Sequence, residues 1–123
     1  MSEQKILIVE DDRSLSRVLK LKLTKAGYEI DIANNGEEGV KMMKSGGYKL
    51  VLLDLIMPKM TGFDVLAFMK KEDFDLPVLI LSNLGQNEDK EKTEGFGNVQ
   101  GYIVKSNISL DDVIKQIDKT LNE

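Results

Sequence analysis

Four short apolar runs punctuate the chain: Ile6-Leu7-Ile8-Val9, Leu50-Val51-Leu52-Leu53, Val78-Leu79-Ile80-Leu81 and Tyr102-Ile103-Val104. Each has strand length, and unbroken apolarity implies cover on both faces, as in a parallel sheet flanked by helices. Tyr28-Glu29-Ile30-Asp31-Ile32-Ala33 alternates instead and predicts a half-exposed edge strand. Between these runs the apolar spacing turns helical. Leu15, Val18, Leu19, Leu23 and Ala26 share one face that ends at Gly27, a residue suited to a left-handed C-cap. Val40, Met42 and Met43 mark a helix near 37–45, and Phe63, Val65, Leu66, Phe68 and Met69 another near 63–72. The last helix is the clearest, with Leu110, Val113, Ile114, Ile117 and Leu121 in register and Ser109 with Asp112 predicting a capping box. The stretch 86–97 differs, because Gln86 to Glu94 offers almost no apolar face; a helix there packs weakly and is able to shift, the plain alternative being a surface helix.

Strand and helix thus alternate five times without a repeat or linker. Right-handed crossovers turn that order into a flavodoxin-like, doubly wound, five-stranded parallel sheet, order 2-1-3-4-5, with five flanking helices and one domain over 1–123. In such a sheet the ligand site lies beyond the carboxyl ends of the strands, beside the first and third. The residues at those ends are Glu10, Asp11 and Asp12, then Asp54, Ser82 and Lys105. Asp12 sits where the first helix begins and reads as its cap.

Carboxylates converging from two adjacent strands raise one another's pKa unless a cation compensates. The chain has no His and no Cys, so ligation is by oxygen, which indicates a hard ion and fits Mg²⁺ better than Ca²⁺. The lysine and hydroxyl opposite supply a charge and a donor of the kind a phosphoryl group requires. No glycine-rich phosphate loop follows the first strand, so side chains must hold the phosphate. Asp54, ending the central strand, is the natural nucleophile, and Glu10 with Asp11 can hold the metal.

Composition narrows the partners. The 123 residues are 41% hydrophobic and 31% charged, enough for one core and a solvated surface. With net charge −4 and scattered lysines, the chain has no electrostatic footprint for nucleic acid, so direct binding of DNA or RNA is not expected. No apolar stretch reaches the ~18 residues of a membrane span, and Met1-Ser2-Glu3-Gln4 does not open a signal peptide; a cytoplasmic location is expected.

The ordered set Val9-Glu10-Asp11, Val51-Leu52-Leu53-Asp54-Leu55-Ile56-Met57-Pro58 with Met60 and Gly62, Leu81-Ser82 and Tyr102-Ile103-Val104-Lys105 resembles the receiver domain of two-component response regulators, of the stand-alone, chemotaxis-regulator-like kind. The resemblance covers essentially the whole chain. It implies a signalling switch in which Asp54 accepts a phosphoryl group from a histidine kinase, a phosphotransfer protein or a small phosphodonor. It further implies that Asp11, Asp54 and the Ile56 backbone carbonyl ligate Mg²⁺, with Glu10 helping through water. Lys105 would pair with Asp54 and later with the phosphate, Ser82 would bind the phosphate and move toward it, and Tyr102 would be the switch aromatic relaying the change to the 86–121 face. Such a protein catalyses only its own phosphorylation and dephosphorylation and acts through a downstream protein that the sequence does not identify. Arg13, Ser14, Arg17 and Val18 on the first helix would select the kinase, and the chain would be a monomer or a weak dimer through the 86–121 face.

Some positions depart from the pattern. Ser106 stands where receivers usually carry proline, Asn83 where a small residue is favoured, and the stretch Gly95 to Gly101 is about one residue longer than in the usual pattern. Ile56 and Leu84 replace polar residues that in related receivers orient the hydrolytic water, which predicts a long-lived phosphoryl group. The competing reading is a receiver-like interaction module that works without phosphorylation, although a degenerate module has no reason to retain the whole acidic and basic set. A flavin binder lacks its phosphate loop here, and a haloacid-dehalogenase-type phosphatase would want an Asp at 56.

Overall fold

The computed structural model describes residues 4–83, 92, 93, 95–107 and 109–122. Their strands are β1 (Lys5–Val9), β2 (Glu29–Ala33), β3 (Leu50–Leu53), β4 (Val78–Ser82) and β5 (Val99–Val104). Four helices are described, α1 (Arg13–Lys25), α2 (Gly36–Ser45), α3 (Gly62–Lys71) and α4 (Leu110–Leu121), together with a 3-10 turn over Lys105–Asn107. All strand pairs are parallel, in the order β2-β1-β3-β4-β5. The flavodoxin-like sheet expected from the apolar runs is therefore the observed one. The helix expected over 86–97 lies mostly outside the described residues, of which Lys92 and Thr93 are helical.

Alternation along the central strands divides the core into two layers. Leu7, Val9, Val51, Leu53, Val78 and Ile80 pack under α2 and α3 with Met43, Val65, Leu66 and Met69. Ile6, Ile8, Leu50, Leu52, Leu79 and Leu81 face the other way, onto Leu19 and Leu23 of α1 and Val113 and Ile117 of α4. Burial of each such side chain stabilises by roughly 1.5–3 kcal/mol, and this is what holds the strand ends at a fixed level.

The helix ends bear out two sequence readings and correct a third. Asp12 caps α1, its Oδ1 accepting the Leu15 N–H at 3.1 Å. The helix closes with Tyr28 N–H donating to Leu23 O and Gly27 N–H to Thr24 O, both at 3.1 Å, while Gly27 takes φ +102°. That is the paired bonding of a Schellman motif. Ser109 occupies the N-cap position of α4, yet its hydroxyl makes no cap bond. Its carbonyl instead accepts the Asp112 N–H at 3.0 Å, so a tight first turn takes the amide the hydroxyl would have capped. The reciprocal capping box forms at α3, between Thr61 and Asp64.

β5 also differs from expectation. It begins at Val99 rather than Tyr102, and its residues are half-buried or exposed rather than covered on both faces. It is the outer strand of the sheet, and its register against β4 shifts, with Val78 opposite Val99 but Leu79 opposite Gly101. Gln100 is the unpaired residue of that irregularity, an outlet for the surplus residue read between Gly95 and Gly101.

Candidate functional site

Register brings the acidic residues together. Val9 pairs with Leu53, so Glu10 and Asp54 leave adjacent strands side by side, and the Asp54 N–H donates to Val9 O at 2.9 Å. Ser82 pairs with Val104, which puts Lys105 at the same rim. Glu10 and Asp54 are buried, at 1% and 3% exposure, whereas Asp11 is exposed. Carboxylate oxygens of Glu10, Asp11 and Asp54 lie within 4.8 Å of one another, a group able to hold a metal ion. With three carboxylates and no nitrogen or sulfur donor, the set suits a hard cation.

Lys105 faces this cluster, its Nζ 2.5 Å from Glu10 Oε1 and 3.2 Å from Asp54 Oδ2. The sequence paired it with Asp54 alone; the structure has it bridging both acids. Glu10 Oε2 accepts the Asp12 N–H at 3.0 Å, while Oε1 meets the Lys105 charge without an oriented hydrogen bond. Asp54 Oδ1 accepts the Ile56 N–H at 3.3 Å. Burial pushes Glu10 up to about 7 despite Lys105 and the Asp12 amide, and Asp54 is likewise raised by burial against the pull of Lys105. For Lys105 burial acts downward, but the two carboxylates outweigh it and hold the ammonium above its ordinary value. One lysine thus leaves excess negative charge at the rim, which a bound cation would balance.

Asp11, Asp54, Ile56, Ser82, Asn83 and Lys105 line a cavity of about 310 Å³ over these groups. The Asp54 carboxylate expected to be the nucleophile, the Ser82 hydroxyl, the Lys105 ammonium and the residue expected to offer its carbonyl therefore share one space. Ser82 is fully buried at the end of β4, and Asn83 is exposed on the cavity wall. Tyr102 stands apart: it pairs with Ile80 and lines a groove of about 510 Å³ between β5 and α4. Leu84 lies outside the described residues.

Two supporting contacts escaped sequence reasoning. Gly62 appeared there only as part of a motif. The structure gives the reason for a glycine: a Cβ would stand 2.3 Å from Asp54 O and 2.6 Å from Leu55 Cα. The first turn of α3 thereby rests against the chain that carries Asp54, with the Gly62 N–H donating to Leu55 O at 2.9 Å. Asn34 was not singled out at all, yet its side-chain amide donates to the Glu10 carbonyl at 3.1 Å across 24 positions. Neither contact has a local sequence signal.

Comparison with known proteins meets this geometry from another side. Among curated proteins, the transcriptional regulatory protein YkoG of Bacillus subtilis, itself uncharacterized, is 35% identical over 123 residues, covering 100% of this chain and 53% of that protein. The chain spans about half the length of such relatives. Among solved structures, the response regulator TrrA of Thermotoga maritima, in complex with Mg(2+)-BeF, is 32% identical with TM-score 0.84, covering 96% of this chain and 99% of that one. The Vibrio cholerae chemotaxis protein CheY4 superposes with TM-score 0.88 at 26% identity, covering 98% of this chain and 100% of that one. Residues 6–118, from the first buried position of β1 almost to the end of α4, match the model of the response regulator receiver domain, and to that family the chain belongs.

Proposed function

We propose that the chain is a phosphorylation-activated switch of a two-component phosphorelay, with Asp54 as acceptor. The observation that carries this reading is the cluster itself: three carboxylates within 4.8 Å, one of them buried at the centre of the sheet and bridged by Lys105. One Asp54 carboxylate oxygen attacks the donor's phosphorus. The bond from phosphorus to the donor's nitrogen or oxygen breaks and its electron pair leaves with the donor, an imidazole nitrogen then taking up a proton from solvent and a carboxylate oxygen leaving as the anion. Glu10, Asp11, Asp54 and the Ile56 backbone carbonyl would hold Mg²⁺, which when bound neutralises charge on the transferring group. Lys105 neutralises the opposite side, and Ser82 offers its hydroxyl across the cavity of about 310 Å³.

The new phosphate makes charge-assisted bonds to Ser82 and Lys105 that the bare carboxylate cannot, and this differential contact is what shifts the population. Ser82 and Tyr102 lie on paired strands, two positions apart in register, so movement of the hydroxyl is passed to the aromatic and on toward the 86–121 face. Arg13, Ser14, Arg17 and Val18 are exposed on α1, as residues that meet a histidine kinase or phosphotransfer protein need to be. A downstream protein reads the altered face. Among the described residues no helix is long and apolar enough to cross a membrane.

Intact-mass spectrometry after incubation with acetyl phosphate and Mg²⁺ tests the proposal. One phosphoryl adduct is expected, lost in Asp54→Ala and in EDTA. A folded wild type that takes no adduct would transfer the case to the phosphorylation-independent module. Ile56 is 55% exposed beside Asp54 and cannot orient a water. The adduct should therefore decay several-fold faster in Ile56→Asn; equal lifetimes would remove Ile56 as the cause of persistence.

A further inference from the structure

We propose that Asn34 is a positioning residue for the carboxylate cluster, its amide fixing the Glu10–Asp11 peptide from which two of the three acids project. The proposal rests on the metal-binding reading of that cluster. The last backbone rung between β1 and β2 is the Glu10 N–H donating to Ala33 O at 3.0 Å. Beyond it β2 ends, because Asn35 turns the chain into α2 and caps it, Oδ1 accepting the Glu38 N–H at 2.8 Å. The Glu10 carbonyl is thus left at the sheet's rim with no following rung from β2. Asn34 supplies the donor from its side chain, at 3.1 Å. Since a carbonyl can only accept, the contact defines the amide's orientation: Nδ2, not Oδ1, faces Glu10.

The bond matters most for Asp11. Glu10 has its carboxylate held independently by Lys105 and the Asp12 amide, whereas the exposed Asp11 carboxylate takes its place from the backbone that carries it. With the Glu10 carbonyl on one side and the Asp12 N–H on the other both engaged, the peptides flanking Asp11 are fixed. Asn34 and Asp11 also line a common cavity of about 380 Å³. Asn34 nonetheless acts through the backbone and is not a ligand. Outer partners of this kind typically change metal affinity by about tenfold or more.

The test is titration of the whole chain with Mg²⁺ alone, followed by amide chemical shifts, for wild type, Asn34→Ala and Asn34→Asp, with thermal unfolding in EDTA alongside. Asn34→Ala should weaken Mg²⁺ about tenfold while remaining folded. Asn34→Asp is nearly the same shape and adds a negative charge, which by attraction alone would tighten Mg²⁺; lacking the donor at neutral pH, it should bind more weakly than wild type. Weaker binding in both variants is the expected result. Unchanged affinity in Asn34→Ala, or binding in Asn34→Asp as tight as wild type, overturns the proposal and leaves the metal reading intact. Should Asn34→Ala fail to fold, the aspartate variant decides alone. Wild type that shows no Mg²⁺-dependent shift overturns the metal reading and this proposal with it.

Discussion

The negative and positive poles of the site are built on different ground. Glu10 and Asp54 extend β1 and β3, whose Ile8, Val9, Leu52 and Leu53 are no more than 1% exposed and are covered on both faces. Lys105 extends β5, an outer strand of half-buried residues whose register slips by one against β4 and which runs at once into a 3-10 turn. Packed interiors resist displacement, and sheet edges with few buried contacts open at low cost. The comparison teaches that the acids form a fixed frame and the lysine is its adjustable member. The proposed switch needs that asymmetry, since acids that moved as readily as the lysine would carry Asp54 away from the cation the cluster is proposed to hold.

The severest way to break the frame is Gly62→Ala. The added methyl meets backbone at 2.3 and 2.6 Å, not a side chain that can turn aside. We expect a loss of about 3 kcal/mol, at the upper end of overpacking costs, in urea unfolding. A loss under about 1 kcal/mol would mean that the β3–α3 junction yields more readily than its contacts imply. Next come paired truncations that compare the two strands directly. Leu52→Ala should cost about 3 kcal/mol and Ile103→Ala about 1 kcal/mol, by the same unfolding measurement. Equal costs would erase the distinction between frame and edge.

The last prediction moves a titration midpoint rather than the fold. Burial raises the folded-state pKa of Glu10 from 4.5 to about 7, so the folded state binds this proton more tightly than the unfolded one. Without metal, the Glu10 contribution to stability is greatest below pH 4.5 and declines as pH rises toward about 7. The raised Asp54 acts in the same direction. Mg²⁺ must displace that proton, so its affinity should climb with pH to about 7 and then level. Removing the ammonium in Lys105→Met should push the levelling point to higher pH. An unmoved midpoint in Mg²⁺ titrations at several pH values would show that the lysine does not set the acids' charge.

Most of the fold was legible because parallel strands covered on both faces must be apolar throughout, as Leu50 to Leu53 are, and whatever follows them must reach the rim. That logic located Glu10, Asp11, Asp54, Ser82 and Lys105 together. It failed where a pattern admits two geometries. Thr61 with Asp64 and Ser109 with Asp112 carry the same capping signature, but only the first forms it, because the α4 turn had already bonded its amide to the Ser109 carbonyl. Val99-Gln100-Gly101 has no apolar run to announce the start of β5, and a register shift has no composition. The contacts of Asn34 with Glu10 and of Gly62 with Asp54 follow from how loops fold back on strands, which spacing along the chain does not encode.

The turn between α2 and β3 offers a handle of a practical kind. Gly46 and Gly47 both take positive φ, at 81° and 92°, are exposed, and have nothing within 4 Å of a would-be Cβ. In a parallel sheet every strand's entrance is at the rim opposite its exit, so this turn is a sheet's length from Asp54. A fluorescent domain spliced between the two glycines would hang on the far side of the molecule and report abundance in cells without burdening the proposed phosphorylation site.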